Sequence, residues 1–226
     1  MKIVAIIPAR YDSTRFPGTP LAKIDGKEMV FHVYDNVSSV VETHIATDSA
    51  QIFFGAVGSG RNAIQTSPDC NNGTERVFDA LQHLSEKPDV VINIQGDEPM
   101  VKPSDIQALI KLISRPQVQI GTLATRTEAP GNNIVYVEVT SDGRCVEFDR
   151  CECMKEKTAF RHLGMYIFKY KTLEKIAGYN VKSTLEQVGW QNRGHEIYFE
   201  EVETKSIGVD TPDDLEYVEQ LIKNGY

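Results

Sequence analysis

The first half of the chain alternates short apolar runs with segments of helical periodicity, and this alternation restricts the fold more than any other feature. Lys2–Ile7 reads as a buried strand, and Glu28–Ser38 sets apolar residues at Met29, Val30, Val33 and Val37, a helical spacing. Thr43–Thr47 reads as a strand, Ser49–Val57 as a helix ended by Gly58 and Gly60, and Ala63–Gln65 as a strand. Thr74–Leu84 repeats Val77, Leu81 and Leu84 at helical spacing. Val90–Ile94 is an apolar strand that runs straight into the polar QGDEP, and Ser104–Ile113 is helical again. A β-α-β-α succession predicts an α/β fold with a mostly parallel sheet. In such sheets ligands bind at the carboxyl ends of strands. PARYDSTR and QGDEP both stand at such ends, which makes them site candidates on placement alone.

The second half changes character. QIGTLAT, NIVYVEVTSDGRCVEF and RHLGMYIFK read as strands, with Ser141-Asp142-Gly143 as a hairpin turn. TLEKIA and STLEQVGW read as short helices and IYFEEVE as a strand. TPDDLEYVEQLIKN opens with a helix-start signature: Thr211 as cap, Pro212 at the first position and acids in the first turn. No linker, repeat or low-complexity segment interrupts the chain, so residues 1–226 read as a single domain.

Composition removes several classes. A net charge of −8 argues against a nucleic-acid partner, since backbone affinity comes from clustered Lys and Arg. No apolar stretch approaches a membrane span, so no membrane insertion is expected, and the early apolar run is too short for a signal-peptide core. The four cysteines form no C-x-x-C pair and read as reduced thiols of a cytoplasmic protein.

The candidate residues fall into small groups. Arg10 and Arg15, with Ser13 and Thr14 between them, sit in an irregular loop whose free N–H groups can form an anion nest, suited to a triphosphate. The other reading is an exposed loop with two solvated arginines. Asp97 at a strand end is a hard oxygen ligand of the kind that holds Mg2+, or part of a capped turn with Glu98 before Pro99. Asp210 is a second carboxylate able to meet it, or a cap of the last helix. Gly73 allows close approach before a helix, and Arg76 in that helix's first turn opposes the helix dipole, a hint that it serves an anion. His162, Gly164 and Tyr166 alternate along one strand and so share a face.

Together the segments PAR-x-x-STR-x-PG-x-PL, ATD, NGTER, INIQGDEP, the hairpin ending in F-x-R, RHLGMY, LEQ and GVDTPDDLE resemble those of the 3-deoxy-manno-octulosonate cytidylyltransferases, or CMP-Kdo synthetases. They occur in family order from residue 3 to residue 216, and the chain looks like a divergent member. The resemblance implies a nucleotidyltransferase-like (Rossmann-like) fold, with helices on both faces of the sheet and an antiparallel excursion over about 133–169 that pairs homodimers. It implies transfer of CMP from CTP to the anomeric hydroxyl of Kdo or a closely related ulosonic acid, for surface lipopolysaccharide or capsule synthesis. By motif, Arg10, Ser13 and Arg15 hold the triphosphate, with Thr19 on the same loop. Asn72, Gly73 and Gln95 lie against the cytidine side or the sugar rim. Asp97 and Asp210 ligate Mg2+, and Arg76, Arg150, His162, Tyr166, Glu186 and Gln187 face the sugar. Thr19 stands where the family has lysine, with Lys23 and Lys27 the nearest other sources of that charge, and the stretch after Arg150 is short. A degenerate CTP-binding relative with little turnover is the alternative.

Overall fold

In a computed structural model, the structure describes residues 1–11, 16–127, 134–151, 159–179 and 185–225. Its centre is β1 (Ile3–Pro8), which pairs in parallel with β4 (Glu42–Thr47) on one side and β6 (Val90–Ile94) on the other. β5 (Ala63–Gln65) extends the sheet beyond β4. β7 (Ile120–Thr125) and β11 (Tyr198–Glu201) close the other edge. Between β6 and β7 runs β10 (Phe160–Lys169), antiparallel to both, so along the path β11-β7-β10-β6-β1-β4-β5 it alone is reversed. β8 (Tyr136–Val139) and β9 (Cys145–Asp149) pair with each other, and β8 with Phe160 and Arg161 at the start of β10. Within the expected antiparallel excursion, Met165–Lys169 pair with β6 of the main sheet.

The core follows from strand alternation. Ala5, Ile7, Ile92, Ile94, Met165 and Ile167 point to one face. There they pack on α1 (Met29–Ser38), α2 (Ala50–Gly58) and α4 (Pro103–Ile113). Val4, Ile6, Val91, Tyr166 and Phe168 point to the other, against α3 (Gly73–Gln82), α5 (Tyr170–Ala177) and α6 (Glu186–Gln191). This gives the expected helices on both faces. The sequence signals did not indicate a small hairpin, β2 (Lys23–Ile24) and β3 (Lys27–Glu28). Its Ile24 packs with Met29, Met100 and Val218 of α7 (Pro212–Lys223) in a separate buried cluster. No described helix is long and apolar enough to cross a membrane. Cys70 and Cys145 are free thiols, as expected, whereas Cys151 is disulfide-bonded, contrary to the expectation of reduced thiols throughout.

Candidate active site

Parallel pairing of Ile3–Ile6 with Val90–Asn93 brings the carboxyl ends of β1 and β6 side by side. The segments leaving them enclose a cavity of about 280 Å³, lined by Arg10 and Thr19 from the first loop and by Asn72, Gly73 and Arg76 from the start of α3. A larger cavity of about 660 Å³ is lined by Glu98, Arg150, Arg161, His162 and Gly164. Gln95, Asp97 and Asp210 line both, so they stand where the two cavities meet.

The first loop closes through the Gly18 N–H, which donates to the Tyr11 carbonyl at 2.9 Å. Gly18 takes φ +77°, a left-handed conformation that glycine adopts without strain. It leads into a short 3-10 turn, Thr19–Leu21, whose Thr19 is buried at the cavity wall. The Thr19 hydroxyl donates to the Phe16 carbonyl, so its one proton is aimed at the chain and not at a ligand. Ser13 and Arg15 lie outside the described residues. Neither alternative lysine lines the cavity: Lys27 pairs with Asp35 at 3.0 Å and Lys23 with Glu28 at 3.8 Å.

At the start of α3, the Asn72 side chain accepts from the Glu75 N–H at 2.8 Å and caps the helix. A Cβ on Gly73 would lie 3.4 Å from Gln95 Nε2, so the glycine lets that amide close over the helix terminus. Arg76 is 3% exposed and donates to Asp48 at 2.9 Å and to the Thr66 hydroxyl at 2.7 Å. The anion that the first-turn arginine signalled is thus a carboxylate of the chain itself, from the ATD segment. Arg76, which the resemblance set facing the sugar, lines the smaller cavity beside Arg10 and Asn72 and not the larger one.

Two buried groups underlie the larger cavity. Arg161 donates to the carbonyls of Ser206 at 2.6 Å, Thr204 at 3.1 Å and Thr127 at 3.0 Å. Glu98 accepts from the Ser206 hydroxyl at 3.1 Å and the Gly164 N–H at 3.4 Å. Burial pushes the Glu98 carboxyl above its usual range, while the Ser206 hydrogen bond and the nearby Arg161 charge act against that shift. Both bond the segment before Asp210, at Thr204 and Ser206. The Val209 N–H donates to the Asp97 carbonyl at 2.9 Å, which sets the two half-buried aspartates on adjoining backbone. Thr211 caps α7, accepting from Asp214 N–H at 3.2 Å, so the cap role is not Asp210's. Two carboxylates on a shared wall suit a divalent cation that completes its shell with phosphate oxygens and water. Among the described residues no group of three or more His, Cys, Asp or Glu forms a fuller cage.

His162 bonds the Thr122 hydroxyl through Nε2 at 2.8 Å and meets the Phe148 ring edge-on at 5.2 Å. Burial, with the Arg161 charge beside it, pushes its pKa down to about 3, so the ring is neutral at pH 7. Tyr166 lies 5.3 Å from the His162 ring, which fits the shared face, but it is buried against Trp190 at 5.0 Å and lines neither cavity. Gln187 is buried and also lines neither. Burial raises the Glu186 carboxyl above its usual range, against the opposing pull of the Thr74 hydroxyl and the Thr74 and Gly73 N–H groups at the start of α3.

A family model described as "Cytidylyltransferase" matches residues 4–223. The chain is 35% identical to the 3-deoxy-manno-octulosonate cytidylyltransferase of Cytophaga hutchinsonii over 95% of each chain, and 32% identical to that of Bacteroides thetaiotaomicron over 99% of each. It belongs to the cytidylyltransferase family. Within that family it is similar in structure to a CMP:2-keto-3-deoxy-manno-octonic acid synthetase complexed with CTP, with a TM-score of 0.88, 32% identity and complete coverage of both chains. A 4-diphosphocytidyl-2C-methyl-D-erythritol synthase from Anaerococcus prevotii shares the fold alone, at 16% identity and TM-score 0.67. In this cytidylyltransferase-family chain, sequence reasoning missed Asp48, Glu98, Thr122 and Arg161 as parts of the site. Asp48 and Arg161 stood inside the ATD and RHLGMY segments, and Glu98 beside Asp97, but their partners are distant in sequence and give no local signal.

Proposed function

We propose that this chain transfers CMP from CTP to the anomeric hydroxyl of Kdo or a closely related ulosonic acid, with Mg2+ held by Asp97 and Asp210. The observation that carries the reading is the pair of cavities meeting at Gln95, Asp97 and Asp210. One carries Arg10 and the helix terminus at Asn72–Gly73, suited to a nucleotide and its phosphates. The other carries Arg150 with the neutral His162, suited to a sugar that bears both a carboxylate and hydroxyls.

The reaction forms one O–P bond, from the sugar hydroxyl to the α-phosphorus, and breaks the α–β anhydride, releasing pyrophosphate. Such transfers depend on positioning and charge neutralisation. When bound, Mg2+ supplies charge neutralisation at the phosphates and lowers the pKa of a coordinated hydroxyl. Arg10 draws the phosphates into the smaller cavity, Gln95 lies between the two substrates, and Asp97 and Asp210 hold the metal at the junction. The activated sugar then serves surface lipopolysaccharide or capsule assembly. A cytoplasmic location and a homodimer go with this reading, the latter supported by the exposed Val146 on β9, whose only strand partner among the described residues is β8.

The test is pyrophosphate release from CTP and Kdo with Mg2+. Release that stops in EDTA and returns with added Mg2+ is expected, with Asp97→Asn and Asp210→Asn each lowering kcat by at least ~100-fold. The Thr19 hydroxyl turned to Phe16 favours one other reading, a relative that binds CTP without turning it over. CTP binding by calorimetry with no pyrophosphate from any ulosonic acid would establish that alternative instead.

A further inference from the structure

We propose that Thr122 is a positioning residue that holds His162 as the Nε2–H tautomer, so that its Nδ1 lone pair accepts a hydrogen bond from a hydroxyl of the sugar substrate. One proton decides the tautomer. Thr122 on β7 is fully buried, and its hydroxyl oxygen lies 2.7 Å from the Met165 carbonyl and 2.8 Å from His162 Nε2. The Leu163 carbonyl is farther, at 3.5 Å. A carbonyl can only accept, so the hydroxyl proton goes to Met165. The same oxygen can then meet Nε2 only as an acceptor, which requires the proton on Nε2.

The strand geometry explains why Met165 takes that proton. The ladder between β7 and β10 shifts register between Leu163 and Tyr166, and the Thr122 side chain bonds the Met165 carbonyl at the irregularity. With Nε2 committed, the ring's remaining polar atom is Nδ1. His162 lines the larger cavity, and no described residue bonds Nδ1. A neutral imidazole acceptor takes a hydroxyl and disfavours a carboxylate. The cavity thus separates the two kinds of group on a sugar acid: Arg150 suits the carboxylate, and His162 suits a hydroxyl. The identity of the ligand rests on the function proposed above; the tautomer does not.

The direct measurement is long-range 1H–15N correlation on 15N-histidine-labelled full-length protein at neutral pH. The expected spectrum has His162 protonated at Nε2 and bare at Nδ1. Thr122→Val keeps the shape and removes the acceptor. It should release the tautomer preference and raise the KM for Kdo by about tenfold, leaving the KM for CTP unchanged. Thr122→Ser, which keeps the hydroxyl, should restore both. A wild-type spectrum with the proton on Nδ1 overturns the proposal, as does a Val variant that keeps both the tautomer and the Kdo KM of the wild type. Absence of turnover with every ulosonic acid would count against the proposed reaction, and the wild-type spectrum would still decide the tautomer.

Discussion

Thr19 lines the smaller cavity, its hydroxyl is committed to Phe16, and neither Lys23 nor Lys27 supplies a charge there. Thr19→Lys would put an ammonium beside Arg10, and kcat/KM for CTP should rise by about tenfold or more in steady-state assays. An unchanged rate would mean that the cavity already holds enough positive charge. His162 makes a second prediction at this scale. Its folded pKa of about 3 lies below the ordinary imidazole value of 6.5, so between these values the unfolded chain binds the additional proton. The contribution is fully present above pH 6.5 and is lost as pH falls toward 3. Urea unfolding from pH 6 to pH 4 should show a slope shallower by up to about 1.4 kcal/mol per pH unit in His162→Gln than in wild type. The raised Glu98 carboxyl acts in the opposite sense, its contribution being present at low pH and lost as pH rises through its folded pKa, and it is common to both proteins.

Elements were largely legible, and their partnerships were not. The expected helix over Ser49–Val57 appears as Ala50–Gly58 with Ser49 as its cap, and Val90–Ile94 appears unchanged, because apolar period and capping chemistry are local properties. The β2–β3 hairpin was missed because each of its strands is two residues long and carries no period. At the site, Asp97 could be recognised as a candidate from its place after β6, and Asp210 as a second carboxylate before the last helix, but the pairing of Arg76 with Asp48 could not, since it joins two elements through the tertiary fold. Tyr166 shows the converse: alternation set it on the His162 face, yet Trp190 covers it. The capping box of α7 lends itself to an element-scale test. The Thr211 hydroxyl and the Asp214 carboxylate satisfy one another's backbone N–H groups at 3.2 and 2.9 Å, immediately after Asp210. Thr211→Ala should lower stability by about 1 kcal/mol in chemical denaturation. It should also weaken Mg2+ activation, raising the metal concentration for half-maximal rate, because the Asp210 N–H bonds the same Asp214 carboxylate.

For the molecule as a whole, ligands that bind only the folded chain add stability by mass action. CTP with Mg2+ at about 100 times its Kd should add roughly 2.7 kcal/mol, visible as a higher Tm in calorimetry, and the Asp210→Asn variant should gain less. The sheet explains why a change at either end of the chain reaches the same place: β1 delivers Arg10, β6 delivers Asp97, and the segment before α7 delivers Asp210. The wall of Gln95, Asp97 and Asp210 is common to both cavities, and this has a pharmacological corollary. On the function proposed above, a single compound that tethers a cytidine phosphate to a sugar-acid mimic through a stable linkage can occupy both chambers at once. Its second half binds at an effective concentration set by a linker of only a few bonds, so its affinity can exceed that of either fragment by two orders of magnitude or more, roughly as for other linked ligands.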